Sequence, residues 1–127
     1  MTAMDVRFEL FVSDTAKSVD FYKTVLGFTE LQSFGDYRPI KCGNVTIGIS
    51  PITGLKADHY FRPEIASHRK GLGIEIVLEV DDIDAAYAHA QQSSYDIFEQ
   101  LQQREWGLRD FRLVDPDGNY LRITSRN

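Results

Sequence analysis

Val6-Arg7-Phe8-Glu9-Leu10-Phe11-Val12-Ser13-Asp14 and Gly73-Ile74-Glu75-Ile76-Val77-Leu78-Glu79-Val80-Asp81-Asp82 are two statements of one pattern. Each alternates residue by residue and then breaks at a polar step ending in an aspartate. Successive side chains of a strand point to opposite sides, so Val6, Phe8, Leu10 and Val12 share one face of the first segment. Ile74, Ile76, Leu78 and Val80 share one face of the second. The opposite faces are mixed: Arg7, Glu9 and Phe11 in one, Glu75, Val77 and Glu79 in the other. The apolar faces are expected against a helix layer, and the mixed faces toward something polar, such as a cavity.

The stretches downstream of the two segments repeat as well. Asp14 is placed as a helix N-cap. Ala16, Val19, Tyr22, Val25 and Leu26 then recur at helical spacing, and Gly27 reads as the stop. Strands are expected near 28–34, 37–43 and 44–50, with turns at Gly35-Asp36 and Gly43-Asn44. In the second copy a helix is expected from about Asp82 to Ser93, with Ile83, Ala86, Tyr87 and Ala90 on one face. Strands are then expected near 95–101, 109–114 and 119–125. Asp115-Pro116-Asp117-Gly118-Asn119 is a turn signal between the last two.

The order is therefore β-α-β-β-β, twice. The expected fold class is α+β, with two βαβββ modules forming a cup-shaped mixed sheet and helices on its outer face. The expected organisation is a single domain over 1–127, with module one at about 5–50, a linker at 51–72 and module two at about 73–125. Repeated units of this size rarely close a core alone, and pockets favour the junction between such units.

Bulk properties narrow the function. The chain has 127 residues, 43% of them apolar, which is ample for one folded domain. No apolar run reaches the roughly 18 residues of a membrane span. The N-terminus lacks a basic-then-apolar leader, so a cytoplasmic location is expected. A net charge of −5 argues against nucleic acid, whose phosphates need clustered Lys and Arg, and mildly favours cationic ligands. The single cysteine, Cys42, is expected to be structural, since free cysteines are usually buried.

Two runs carry a resemblance. They are Ser18-Val19-Asp20-Phe21-Tyr22-Lys23-Thr24-Val25-Leu26-Gly27-Phe28, and Trp106-Gly107-Leu108-Arg109-Asp110-Phe111-Arg112-Leu113-Val114-Asp115-Pro116-Asp117-Gly118-Asn119. In this order, and at this separation, the chain resembles the vicinal-oxygen-chelate superfamily. That group includes glyoxalase I, extradiol dioxygenases, fosfomycin-resistance enzymes and bleomycin-resistance proteins. The Trp-Gly step, with an Arg shortly before the Phe, looks most like the bleomycin-resistance branch.

The resemblance implies a divalent metal held by side chains from the first and last strand of each copy. Those positions fall at Arg7, Gly48, Glu75 and Arg122. Arginine keeps its proton and offers no lone pair, and glycine has no side chain. Only Glu75 is a donor, so neither a metal nor another cofactor is expected. In their place, Glu75 is expected to bridge Arg7 and Arg122.

Trp106, the only tryptophan, is expected to stack on a flat or cationic ligand. Phe34 and Tyr37 flank a turn, and Tyr60 and Phe61 lie in the linker; all four are candidate apolar walls. His59, His68 and His89 match no metal spacing, and solvated or capping roles are expected. No residue is assigned a catalytic role, and no nucleophile triad or phosphate loop is visible.

The function implied is that of a metal-free small-molecule binding protein resembling bleomycin-resistance proteins. It would sequester an antibiotic or similar ligand in a cleft at the module or dimer interface, without nucleic acid or membrane partners and as a homodimer. The alternative is a metal-dependent glyoxalase-type lyase or dioxygenase with an atypical site.

Overall fold

A computed structural model describes residues 2–61 and 68–126. The elements are β1 (Phe8–Val12), α1 (Thr15–Leu26), β2 (Thr29–Glu30), β3 (Arg38–Cys42), β4 (Val45–Pro51), a single 3₁₀ turn (Ile52–Gly54), β5 (Glu75–Val80), α2 (Ile83–Gln92), β6 (Glu99–Gln103), β7 (Arg109–Val114) and β8 (Tyr120–Ser125). The fold class is α+β. Its two four-stranded mixed sheets run β1-β4-β3-β2 and β5-β8-β7-β6. The described residues divide into two compact units, one built on each sheet.

The sheets share one topology. In each, the first strand pairs parallel with the last: β1 with β4, through Glu9 opposite Gly48, and β5 with β8, through Val77 opposite Arg122. The remaining pairs are antiparallel. A parallel pair needs a crossover, which α1 and α2 help to provide. Both helices begin where the aspartates predict. The Asp14 carboxylate accepts from Lys17 N at 3.0 Å, and that of Asp82 from Ala85 N at 3.0 Å. α1 ends at Gly27, whose φ of +79° is open to glycine at no steric cost.

Several expectations shift. Val6 and Ile74 lie just outside their strands and are exposed, so each apolar face starts one alternation later. In α1 the buried set is Ser18, Val19, Phe21, Tyr22 and Val25, while Ala16 is exposed. Tyr22 meets Phe21 and Phe28 edge-on, so the buried face is wider than a strict i, i+3 stripe. The strand expected over 28–34 is only Thr29–Glu30, and the one expected over 95–101 begins at Glu99. Cys42 is exposed rather than buried, at the end of β3. Within the stretch expected as a linker, Ile52–Gly54 form the 3₁₀ turn and residues 62–67 lie outside the described residues. No helix among the described residues is long and apolar enough to cross a membrane.

In the second unit, α2 covers one face of the sheet. Tyr87 packs on Phe111 with centroids 5.0 Å apart, and Phe111, Leu113, Leu121 and Ile123 are almost wholly buried. Asp110, Arg112, Tyr120 and Arg122 therefore stand on the opposite face. Phe111→Ala is expected to lower stability by about 3–5 kcal/mol through lost burial and a residual cavity. Asp82→Ala, which removes only a cap, is expected to cost about 1 kcal/mol. Urea unfolding of the two variants checks the order.

Candidate functional site

In the second unit the face away from α2 carries a continuous chain of ion pairs. β7 and β8 are in register at Arg112 and Arg122, so two guanidinium groups stand directly opposite each other. Like charges in that arrangement repel. Glu75, on β5, answers them: its Oε1 accepts a hydrogen bond from Arg112 Nη1 at 3.2 Å and lies 3.2 Å from Arg122 Nε. The second approach lacks hydrogen-bond geometry, so Arg122 Nε is buried without an acceptor among the described residues.

Arg112 is held further by Asp110 Oδ1 at 3.2 Å and by the Tyr120 hydroxyl at 3.1 Å, and it lies over the Tyr120 ring at 5.6 Å. Asp110 is completely buried and also accepts from Arg104 Nε at 2.8 Å. Arg104 in turn donates to Glu99 at 2.6 Å. The alternation of sign runs Glu99, Arg104, Asp110, Arg112, Glu75, Arg122. Burial alone would raise the Asp110 carboxyl; hydrogen bonds from Arg104 and Arg112 outweigh it and hold the group below the usual carboxylate range. The same bonds to Asp110 and Glu99 keep Arg104 firmly protonated.

Trp106 ends this chain. Its ring lies 6.0 Å from the Arg122 guanidinium carbon and is 53% exposed. The ring sits on a tight turn closed by Arg104 N donating to Leu108 O at 2.7 Å and Gly107 N donating to Arg104 O at 3.0 Å. Arg104 thus anchors the turn through its backbone and the ion-pair chain through its side chain.

The first unit builds something different at the matching place. Glu9 faces Gly48 across the parallel pair, and its carboxylate accepts from the Tyr37 hydroxyl at 3.0 Å and pairs with Arg7 at 3.0 Å. A Cβ at Gly48 would collide with the ends of both Glu9 and Tyr37, so any larger residue there forces those two side chains to shift. Burial, then the bond to Glu9, raises the Tyr37 hydroxyl, which keeps it a donor. Phe11, on the same parity of β1, meets His59 and Phe61 at 5.7 and 5.5 Å. His59 is thereby half-buried among aromatic rings, and its Nδ1 accepts from Phe61 N at 3.0 Å. Of the solvated or capping roles expected for it, His59 takes a local capping one, within an aromatic setting.

The candidate residues are thus distributed in groups. Glu75, Arg122 and Trp106 come together in the second unit. Arg7 joins Tyr37 through Glu9 in the first, where Glu9 supplies its carboxylate. Phe61 joins Phe11 and His59. Tyr60 touches Phe61 but is 91% exposed, and Phe34 is 84% exposed beside its turn. Arg112, Asp110, Arg104, Glu99 and Tyr120 were not among the candidates. The alternation of Asp110 and Arg112 with Phe111 and Leu113 was the available signal, and only the pairing register turns it into a network.

A family model described as the glyoxalase/bleomycin resistance protein/dioxygenase superfamily matches residues 6–123. The chain belongs to that superfamily. Solved structures agree at the level of fold. A glyoxalase/bleomycin resistance protein/dioxygenase from Nocardioides gives a TM-score of 0.77 at 19% identity, over 98% of this chain and 85% of that one. A protein of unknown function from Agrobacterium tumefaciens gives 0.78 at 23% identity, over 100% and 97%. TioX from Micromonospora gives 0.74 at 20% identity, over 97% and 100%. No curated protein gives a match.

Superfamily membership sharpens the metal question. Of Arg7, Gly48, Glu75 and Arg122, only Glu75 has lone pairs to give, and its Oε1 already faces two guanidinium groups. The described residues hold no cluster of three or more His, Cys, Asp or Glu suited to a metal ion. The donor set does not fit a divalent cation.

Two outcomes are expected. Asp110→Asn removes the carboxylate between Arg104 and Arg112 and should cost about 3–5 kcal/mol, as breaking a buried pair does. Because the folded-state value of Asp110 lies below the ordinary 3.8, its contribution is present above that ordinary value and is lost as pH falls below it through the depressed folded-state value. Thermal midpoints across that window should fall in the parent and flatten in the variant. Separately, Gly48→Ala should destabilise by about 1–3 kcal/mol through overpacking. Adding Glu9→Ala should recover part of that loss, and strict additivity in the double-mutant cycle would contradict the crossing of side chains.

Proposed function

We propose that this chain is a small-molecule binding protein that uses ion pairs and aromatic side chains where a metal-dependent relative would place ligands. The observation that carries this reading is the commitment of Glu75 to Arg112 and Arg122 beside an exposed Trp106. A carboxylate shared by two guanidinium groups is a poor Lewis base, whereas a half-exposed indole on a pinned turn is a ready stacking surface. Binding without bond cleavage needs only such a surface and a few oriented polar groups.

Drug sequestration, as in the bleomycin-resistance branch, is the specific form suggested by the sequence likeness. The net charge of −5 favours a cationic drug, while the Arg122 cation next to Trp106 opposes one. A homodimer is the expected assembly, and light-scattering mass checks it.

The binding reading is tested by elemental analysis of protein purified without chelator, together with a thermal-shift screen of small molecules. Substoichiometric Ni, Zn, Mn and Fe is expected, with ligands raising the midpoint by mass action. A stoichiometric metal would instead support the lyase or dioxygenase reading. Calorimetric titration with bleomycin tests the sequestration form separately.

A further inference from the structure

The alternating chain of charges in the second unit ends on a cation that is ion-paired but poorly hydrogen-bonded. Arg112 donates to Asp110, Glu75 and Tyr120. Its opposite number Arg122 faces the Glu75 carboxylate at 3.2 Å without hydrogen-bond geometry, and its Nε is buried without an acceptor among the described residues. Arg122 has five donors in a planar fork, and its side chain is only 27% exposed. The ion pair offsets the charge, but a partly dehydrated guanidinium whose buried Nε–H lacks an acceptor still gains from a well-aligned one.

The surroundings select that acceptor. A carboxylate takes two parallel N–H bonds from a guanidinium, the strongest and most directional pairing open to Arg122. The Arg122 guanidinium carbon lies over the Trp106 ring, 6.0 Å from the centroid, and Trp106 is 53% exposed, so the ring surface next to the guanidinium is flat, apolar and accessible. An aromatic ring stacked there would carry an attached carboxylate to the edge of Arg122. The platform is already set, because Arg104 holds the 104–108 turn while locked to Asp110 and Glu99. The opposing charges are Glu75, Glu79 on the same parity of β5, and Glu105 beside the indole. Glu75 is shared with Arg112, and both Glu79 and Glu105 are exposed to solvent.

We infer that Trp106 and Arg122 form a binding site for a planar aromatic carboxylate, with the ring on the indole and the carboxylate on the guanidinium. This names a ligand class for the proposed binding role and rests on that role. It also assigns Arg122, at a position the family resemblance gives to a metal ligand, the task of holding the ligand's charge directly.

The test uses the full chain and the fluorescence of its single tryptophan. The probes are para-nitrobenzoate, para-nitrobenzylamine and para-nitrobenzyl alcohol, which share a quenching ring and differ in charge. Saturable quenching is expected from the benzoate, about tenfold or more tighter than from the amine. Arg122→Gln should weaken the benzoate by about tenfold, which is about 1.4 kcal/mol, and leave the alcohol unchanged. Arg122→Lys, which keeps the charge but loses the fork, should fall between and guards against a folding defect in the Gln variant. Equal or tighter saturable binding of the amine, or benzoate binding unmoved by Arg122→Gln, would overturn the inference while leaving a binding surface at Trp106. Absence of saturable quenching by all three probes would also overturn it, and the wider binding role would then stand or fall on the thermal-shift screen.

Discussion

Two arginines facing each other across neighbouring strands set the conditions for the whole second unit. Arg112 and Arg122 share a register on β7 and β8, a like-charge pairing that is destabilising until a carboxylate stands between them. Glu75 supplies it from the parallel strand β5, and this links the first strand of the module to its last two. Arg112 then needs Asp110, Asp110 needs Arg104, and Arg104 fixes the turn that presents Trp106. One electrostatic constraint therefore runs from the sheet to the exposed indole.

The two modules solve one topological problem with different chemistry. Gly48 and Arg122 occupy equivalent places in the parallel pairs, opposite Glu9 and Val77 respectively. In the first unit the carboxylate lies on the strand next to glycine, and Tyr37 and Arg7 close over it. In the second the carboxylate comes one alternation earlier, at Glu75, and a long cation fills the place of the missing side chain. A duplicated backbone thus holds a neutralised cluster in one copy and an under-satisfied cation in the other. That asymmetry is why the proposed binding surface belongs to the second unit.

Much of this was legible in the chain. The strand-then-aspartate pattern at Val12-Ser13-Asp14 and Val80-Asp81-Asp82 located both helices, because capping and period-2 alternation are local effects. The repeat set the element order, and superfamily membership agrees with it. The parity of Glu75 and Arg122 marked the polar face of the second sheet, whereas Arg7 lies just outside β1. Less legible were the short strand at Thr29–Glu30, the exposure of Val6, Ile74 and Cys42, and the aromatic setting of His59. Each of these depends on what lies beside the residue in space, which periodicity does not report.

The amino-acid sequence by itself determined the elements, their order and which side of each strand is polar, since these arise from interactions within a few residues. Only the tertiary structure decided the partners. It placed Arg112 opposite Arg122, gave Glu75 to both, paired Arg7 with Glu9, and left Arg122 Nε, beside Trp106, without a hydrogen-bond acceptor among the described residues. Strand register controls those pairings, and register is settled by packing between segments far apart in the chain.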